Sequence, residues 1–281
     1  MFWKSGRCIR SYYKVYVVGD LKMIIVLTHD IDSIRKPFKH IWQRRNRFTI
    51  KDIILSALNL KNLYNNIEDV IALEDKYGVK STLFVPVFLF NINEIIDTLR
   101  SIKRQGWEVQ LHYVYEANQA VGLFRMQKEY FEEEIGIVEG VRVHKLIMND
   151  VILNMLQKEG IKYDSTLRVE TANTYNPYYI TKEMIEIPIA IMDADLFGRL
   201  QLNEDQALKY IDWKLKSAQE RGAWCFTILF HQESYRMKGG RIYSKVLELI
   251  KDKEVMTCNQ LVNHVKLKSA RQEEQKNASS H

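Results

Sequence analysis

The feature that most constrains the fold of this chain is an alternation, from Met23 onward, of short apolar runs with longer amphipathic stretches. The runs have the length of buried strands, and the stretches between them place apolar residues at helical spacing. This order is typical of strands alternating with helices around a mostly parallel sheet, so the sequence predicts an α/β protein. The predicted strands cover residues 23–28, 81–87, 107–111, 141–143, 185–189 and 223–230. The predicted helices cover residues 66–77, 92–104, 126–137, 150–158 and 205–220.

The connections between these elements are short, which favours a single domain over residues 23–265. Residues 1–22 precede the first strand and are expected to form an N-terminal appendage. From residue 266 the chain is polar and ends in QEEQKNASSH, so we expect residues 266–281 to be a disordered tail. The hydrophobic share of 46% is nevertheless that of an ordinary globular protein.

The cysteine pattern bears on the cellular compartment. Cys8, Cys225 and Cys258 are widely spaced and form no Cys-x-x-Cys pair, which fits neither a disulfide framework nor a zinc knuckle. The first 22 residues contain no uninterrupted apolar stretch of signal-peptide length, and the apolar run at 24–27 is too short for a transmembrane segment. We therefore expect a cytoplasmic protein.

The net charge of +6 arises from 41 basic and 35 acidic residues, a small excess that does not predict a nucleic-acid partner. A basic insertion, RKPFKHIWQRRNRFTIK, occupies residues 35–51 directly after the first strand. Charge runs are usually solvated, so the simplest interpretation is a surface loop or helix that borders the functional site. The alternative is a lid or a patch that meets anionic substrate groups such as phosphates.

Polar side chains follow several predicted strands at the point where each strand ends. Asp30 and Asp32 follow the first strand, His112 and His231 end two others, and Arg142 and His144 end a fourth. In parallel α/β folds the carboxyl ends of the strands form the edge where active sites are built. The carboxylate pair alone could cap a helix or join a loop salt bridge. Four strand ends carrying Asp, His, Arg and His together favour one convergent site.

In type and order these residues resemble the polysaccharide deacetylases, the chitooligosaccharide deacetylase-like carbohydrate esterases, over about residues 23–265. The segment Thr28–Asp32 is similar to the family branch with Asp-x-Asp in place of Asp-Asp. Gly140-Val141-Arg142 resembles the arginine motif, and Leu229-Phe230-His231 keeps the Leu-x-His motif. The resemblance implies a distorted (β/α) barrel with mostly parallel strands.

The resemblance also implies roles for individual residues. Asp30 would be the general base and His231 the general acid, with Arg142 holding Asp30 and Asp193 orienting His231. Asp32 and His112 would bind a divalent metal, with zinc the first choice, and the family's second metal-binding histidine falls at Glu116 here. A carboxylate can serve as the third ligand in its place, one turn from His112 if that loop is helical. The other options are that His144 completes the site or that no metal is bound.

The resemblance implies removal of an acetyl group, N-acetyl more than O-acetyl, from a carbohydrate or sugar conjugate, and the chemistry of these residue types suits that reaction. A bound metal would polarise the acetamide carbonyl and activate water, Asp30 would take the proton of that water, and His231 would protonate the leaving amine. Two rival functions share the fold: a metal-independent amidohydrolase of the allantoinase type, and a carbohydrate-binding protein without turnover. The sequence gives no basis for an oligomeric state.

Overall fold

The computed structural model describes residues 22–116 and 120–278, and the described chain forms a curled sheet surrounded by helices. The expected N-terminal appendage therefore lies, up to residue 21, outside the described residues. The strands are β1 Ile24–Asp30, β2 Thr82–Val85, β3 Glu108–Tyr113, β4 Gly140–Val143, β5 Tyr163–Asp164, β6 Tyr178–Tyr179, β7 Ile185–Glu186, β8 Ile189–Met192, β9 Cys225–Leu229 and β10 Glu254–Met256.

The helices cover the outside of the sheet, with short 3₁₀ turns between some of them. They are α1 Phe38–Gln43, α2 Ile50–Ala57, α3 Ile67–Lys76, α4 Ile96–Arg104, α5 Ala120–Glu134, α6 Asp150–Lys158, α7 Val169–Ala172, α8 Glu204–Glu220, α9 Lys238–Arg241, α10 Tyr243–Ile250 and α11 Cys258–Ala278. No helix in the described ranges is both long enough and apolar enough to cross a lipid bilayer.

The strand order is β6-β7-β5-β4-β3-β2-β1-β9-β8, and every pair in it is parallel except β6 with β7. β10 pairs with residues 24–26 in the first half of β1, and β2 pairs with residues 28–30 in its second half. The curled sheet closes where β8 meets the segment that follows β5. There the backbone N–H of Ile189 donates to the carbonyl of Leu167 at 2.8 Å. This arrangement confirms the predicted α/β class and the distorted (β/α) barrel in one domain.

Alternation along β1 shows which side chains fill the barrel. Ile24 and Val26 belong to an interior cluster with residues of β2, β5, β7 and β9. Ile25 and Leu27 point outward and pack with residues of α8 and α10. Because successive side chains of a strand alternate between its faces, the same inward face continues to Asp30 at the carboxyl end of β1. The apolar interior therefore gives way to polar groups at this end.

Helix α11 differs from the sequence-based expectation. Its first turns cover the amino end of the barrel with a buried apolar face, and the helix continues to Ala278. The helix thus runs through residues 266–278, where the sequence predicted a disordered tail, and residues 279–281 lie outside the described chain. The reason is local: Lys, Arg, Gln, Glu and Ala are strong helix formers, so an anchored helix extends through them without needing an apolar face.

Candidate active site

The carboxyl ends of five parallel strands carry the ionisable side chains that the sequence singled out. β1 ends at Asp30 with Asp32 two residues beyond, and β3 contains His112. The other three strand ends supply the remaining groups: Arg142 and His144 at β4, Asp193 just after β8, and His231 just after β9. Parallel pairing brings these ends to the same edge of the sheet, so one region receives all seven side chains.

Arg142 fixes Asp30 at the floor of this region. The Arg142 Nη1 atom donates to Asp30 Oδ1 at 2.8 Å and to Thr28 Oγ1 at 3.0 Å. Nε and Nη2 of the same guanidinium donate to the carbonyl and hydroxyl of Ser165 at 2.7 and 2.8 Å. Burial opposes ionisation of Asp30, but the Arg142 charge beside it holds the pKa of that carboxyl below its ordinary value. Asp30 is therefore a buried carboxylate that is ionised at neutral pH.

Three potential metal-binding atoms lie above this pair. Asp32 Oδ1 is 3.2 Å from His112 Nε2 and 3.4 Å from His144 Nδ1, and the two imidazole nitrogens are 3.3 Å apart. Asp32 and His144 are partly exposed, whereas His112 is buried. The three atoms thus form a nearly equilateral triangle that is open to solvent on one side.

The protonation of His112 follows from its other ring nitrogen. His112 Nδ1 lies 3.0 Å from the backbone carbonyl of Arg142, which can only accept a hydrogen bond. The neutral imidazole therefore carries its proton on Nδ1 and leaves the Nε2 lone pair facing Asp32 and His144. A backbone carbonyl that fixes the tautomer in this way is a common support for a metal-binding histidine.

A divalent cation fits this triangle on two grounds. Asp32 Oδ1 is buried and has no hydrogen-bond donor among the described residues, an unfavourable state for a carboxylate oxygen unless a cation lies beside it. Ligand atoms at ~2.0–2.1 Å from a tetrahedral zinc ion lie about 3.3–3.4 Å from one another. The observed separations of 3.2 to 3.4 Å match one face of such a tetrahedron.

Glu116 does not join this cluster, contrary to the expectation from the sequence. β3 continues to Tyr113 and the chain then runs without regular structure, so His112 and Glu116 are not one helical turn apart. Glu116 is exposed, and the possible metal site consists of Asp32, His112 and His144. Of the alternatives considered, the structure favours His144 as the third side chain.

The backbone after His144 accounts for its placement. Lys145 and Leu146 follow it with φ angles of 60° and 54°, the left-handed region that non-glycine residues seldom occupy. Two consecutive left-handed residues turn the chain sharply at the end of β4 and hold His144 at the rim. Strain of this kind is often concentrated at functional sites.

His231 and Asp193 form a second pair at the same edge. His231 Nδ1 is 2.6 Å from Asp193 Oδ1, and the backbone N–H of His231 donates to Asp193 Oδ2 at 3.2 Å. Burial disfavours the charged imidazole, but the Asp193 carboxylate outweighs it and raises the pKa of His231 to about 10. The Nε2 atom lies 3.7 Å from Asp32 Oδ2, so a protonated imidazole faces the metal-binding triangle.

Glu233 is a site residue that the sequence reasoning missed. It lies in the 3₁₀ turn after His231, and its Oε2 atom is buried without a hydrogen-bond partner among the described residues. Burial, reinforced by the Asp32 carboxylate, raises the pKa of Glu233 to about 7. Its position two residues after His231 is the only signal in the sequence, and that signal is weak because acidic residues are common in loops.

His29, by contrast, has a structural role. It is buried between strands and helices, with Nδ1 2.8 Å from the Phe230 carbonyl and Nε2 2.8 Å from Glu74 Oε1. Glu74 also accepts hydrogen bonds from Ser81 and Trp107 at 2.7 and 2.6 Å. This network joins α3 to the sheet on the outer face of β1, away from the inward-facing Asp30.

Comparison with known proteins places the chain among related folds. A family model described as "WbmS-like: Polysaccharide deacetylase" matches residues 65–218. No curated protein sequence matches the chain.

Similar solved structures include a protein of Mycobacterium smegmatis classed as a polysaccharide deacetylase, 19% identical over 90% of this chain and 93% of the other, with a TM-score of 0.65. One of Pseudomonas aeruginosa PAO1 with the same classification is 13% identical over 87% and 91%, with a TM-score of 0.66. PuuE allantoinase is 14% identical over 94% and 97%, with a TM-score of 0.65. At these identities the similarity of the structures establishes the fold.

Proposed function

Because the chain belongs to the polysaccharide deacetylase family, which indicates a hydrolase acting on non-peptide carbon–nitrogen bonds, we propose that it removes the acetyl group from an N-acetylated sugar. The matched family supports the deacetylase class, and the side chains at the sheet edge support the reaction. The substrate is a carbohydrate or a sugar conjugate.

One observation carries this proposal: the same edge holds a carboxylate kept ionised and an imidazole kept protonated. Arg142 maintains the charge of Asp30, and Asp193 maintains the charge of His231. Environments that drive two neighbouring groups to opposite protonation states are typical of acid–base catalysis. Asp30 accepts a proton from the attacking water, and His231 donates a proton from Nε2 to the amine nitrogen as the carbon–nitrogen bond breaks.

Asp32, His112 and His144 are the residues that would hold a divalent metal, with zinc the ion that the donor set and the ligand spacing suit best. When bound, such an ion polarises the acetamide carbonyl and lowers the pKa of water. The triangle contacts both members of the acid–base pair, since Asp30 Oδ2 is 3.7 Å from His112 Nε2 and His231 Nε2 is 3.7 Å from Asp32 Oδ2.

Glu233 supplies a polar group for the sugar. Its buried carboxyl has an unpartnered oxygen beside Asp32 and His231, and a sugar hydroxyl is the kind of donor that such an oxygen lacks. Glu233→Ala should therefore raise KM more than it lowers kcat. The cytoplasmic placement of the protein rests on its cysteine pattern and on the short apolar stretches of residues 1–27, and it stays a prediction.

The direct test is an acetate-release assay on N-acetylated sugars, sugar nucleotides and oligosaccharides, with metal-free protein before and after addition of zinc. We expect activity only after addition of metal. Asp30→Asn and His231→Gln should each reduce kcat by about 10²-fold or more, the typical contribution of one acid–base group. Asp97→Asn, at an exposed position on α4, is the matched control and should leave kcat unchanged.

Two other results of this assay would contradict the proposal and indicate a different function. Acetate release that is equal with and without metal would assign the chain to metal-independent amide hydrolysis. Sugar binding without acetate release, in wild-type protein with bound metal, would make it a binding protein on this fold.

A further inference from the structure

Residues 35–61, here called the basic segment, take no part in the acid–base or metal-binding groups described above. The segment follows Asp32 and contains α1 and α2, which share a small apolar core separate from the barrel. Ile41 and Phe48 of the segment are buried in this core, together with Tyr64 and Met237 from outside it. The inner faces of α1 and α2 are thus satisfied by packing against the body of the protein.

The outer faces of the same helices expose a second set of apolar side chains. Ile50, Ile54 and Leu58 recur every four residues along α2 and beyond its end, and Phe38 and Trp42 have the same spacing on α1. Residues four apart lie on one face of a helix. These five side chains are between 41% and 78% exposed. Clustered exposure of large apolar groups on a surface marks an interaction site.

The basic segment also carries the net charge of the protein. It contains eight Lys and Arg residues and one Asp, within a chain of 41 basic and 35 acidic residues. The rest of the chain therefore has 33 basic and 34 acidic side chains and is almost neutral. Within the described residues, ion pairs involve only Arg35 and Lys61 of the eight, with Glu94 and Asp52 as partners. The other six cations have no ion-pair partner there.

Exposed apolar side chains that alternate along the segment with cations lacking an ion-pair partner among the described residues are suited to one occupant. We propose that the basic segment docks on an anionic phospholipid membrane, with the apolar side chains of α1 and α2 in the headgroup region. Helices of this composition bind at a bilayer surface through buried apolar area and attraction to anionic lipids. A soluble polyanion would engage the cations and leave the apolar side chains in water. A second copy of the chain would bring two strongly positive surfaces together.

The basic segment lies beside the catalytic edge because polar contacts tie its ends to the loop after β9. Gln232 Nε2 donates to the Ser33 carbonyl at 2.7 Å, just before the segment. Asn66 N–H, just after it, donates to Gln232 Oε1 at 2.9 Å, and Gln232 follows His231 directly. Docking through α1 and α2 would therefore bring the catalytic edge next to the lipid surface, within reach of a glycan carried on a lipid.

The test uses the full chain and vesicles, without substrate, so its outcome does not depend on deacetylase activity. Flotation is measured with phosphatidylcholine vesicles and with vesicles containing 30% phosphatidylglycerol. We expect binding to the anionic vesicles, little binding to neutral ones, and a decline of binding as salt increases. Arg45→Gln and Arg47→Gln should each weaken binding about fivefold, since each cation near the surface contributes about 1 kcal/mol.

The apolar contribution is tested by the double variant Trp42→Ser, Ile54→Ser, which keeps every charge. It should weaken binding roughly tenfold or more. The matched control is Trp213→Ser, Ile137→Ser, which removes the same residue types at positions 58% and 72% exposed elsewhere, and it should bind as wild type. Trp42→Phe should bind normally but lose the blue shift of tryptophan fluorescence that vesicles induce. Thermal melts of all variants verify that they are folded.

Three results would overturn the proposal. Equal binding of wild type and the Trp42→Ser, Ile54→Ser variant would reduce the surface to a site for soluble polyanions. Equal binding to neutral and anionic vesicles would remove the role of the cations. Absence of vesicle binding, together with a dimer that the double variant abolishes in sedimentation velocity, would make the two apolar faces an interface between copies of the chain.

Discussion

Individual residues at the catalytic edge are held by partners that do not themselves react. Arg142 is fully buried, and its guanidinium lies over the Phe84 ring at 4.3 Å from the centroid. Its side-chain donors reach Ser165, Thr28 and Asp30, while its backbone carbonyl fixes the tautomer of His112. One residue thus positions the proposed base through its side chain and a proposed metal ligand through its backbone carbonyl.

The third metal ligand can be tested by comparing His144→Ala with Glu116→Ala. Because His144 Nδ1 completes the triangle and Glu116 is exposed, zinc affinity should fall in His144→Ala by at least the roughly 10–100-fold that loss of a residue supporting a ligand costs. Glu116→Ala should bind zinc as wild type does. The measurement is competitive titration of metal-free protein against a chromophoric chelator. Weaker binding in Glu116→Ala alone would restore the ligand set expected from the sequence.

The Asp193–His231 pair predicts a pH dependence. Asp193→Asn should lower the pKa of His231 from about 10 and move the basic limb of the pH–rate profile to lower pH. Because the folded-state pKa is raised, the stabilisation is complete below the unfolded value of about 6.5 and is lost as pH rises through the folded value.

The difference in unfolding free energy between wild type and Asp193→Asn should therefore be largest near pH 6 and smallest above pH 10. NMR titration of the His231 ring and denaturant unfolding at both pH values check this. A pKa that does not move in Asp193→Asn would leave Asp193 with only a structural role.

Sequence reasoning singled out Asp30, Asp32, His112, Arg142 and His231 as candidates because each ends or follows an apolar run long enough to recognise. It preferred Glu116 to His144 as the third metal ligand. That choice depends on where β3 ends and on the left-handed turn after β4, and neither Lys145 nor Leu146 is a residue type that signals positive φ. The decisive information was backbone conformation rather than residue type.

Among the secondary-structure elements, long periodic ones were predictable and very short ones were not. β5 and β6 have two residues each, too few for a pattern of alternation, and they exist because neighbouring strands supply hydrogen-bond partners. The predicted strand 185–189 covers β7 and the first residue of β8, which the structure separates. α3, α6 and α8 were recognised within one residue at each end, since each combines apolar periodicity with an acidic first turn.

The pairing of β4 with β5 depends on a glycine. Gly140 lies opposite Tyr163, and a Cβ atom at Gly140 would be 1.9 Å from the Tyr163 ring. The ring cannot easily move, because it is buried and its hydroxyl donates to Glu108 at 2.7 Å. Gly140→Ala should therefore lower the free energy of unfolding by roughly 1–3 kcal/mol or more.

The control for Gly140→Ala is Gly122→Ala on α5, where the added Cβ would meet no atom within 4 Å. Alanine there should be neutral or stabilising by about 0.5–1 kcal/mol, because glycine is unfavourable within a helix. Urea denaturation of both variants gives the comparison. Equal stability of Gly140→Ala and wild type would show that β4 and β5 can separate without cost.

At the scale of the whole molecule, the barrel has different closures at its two ends. The carboxyl end is polar and carries the proposed catalytic groups, whereas the amino end is covered by α11. Cys258, Leu261, Val262 and Val265 are fully buried there against Ile24 and the other interior residues. The sequence predicted the barrel but not this cover, because α11 shows its apolar face over only its first two turns before the polar stretch begins.

Because only the first part of α11 covers the barrel, mutations in its first and later parts should have different effects on stability. Leu261→Ala should lower the free energy of unfolding by about 2–5 kcal/mol, because it opens a cavity where the helix meets the barrel interior. Leu267→Ala, on the same helix but 62% exposed, is the matched control and should change stability little. Deletion of residues 269–281 should likewise leave the melting temperature unchanged, since those side chains of α11 that the structure describes as buried lie before that point. Thermal and urea denaturation of the three proteins measure these effects.

Two outcomes would contradict this prediction. A marked loss of stability on deletion would mean that the distal part of α11 contributes contacts to the fold. A wild-type melting temperature for Leu261→Ala would mean that the barrel does not need its cover.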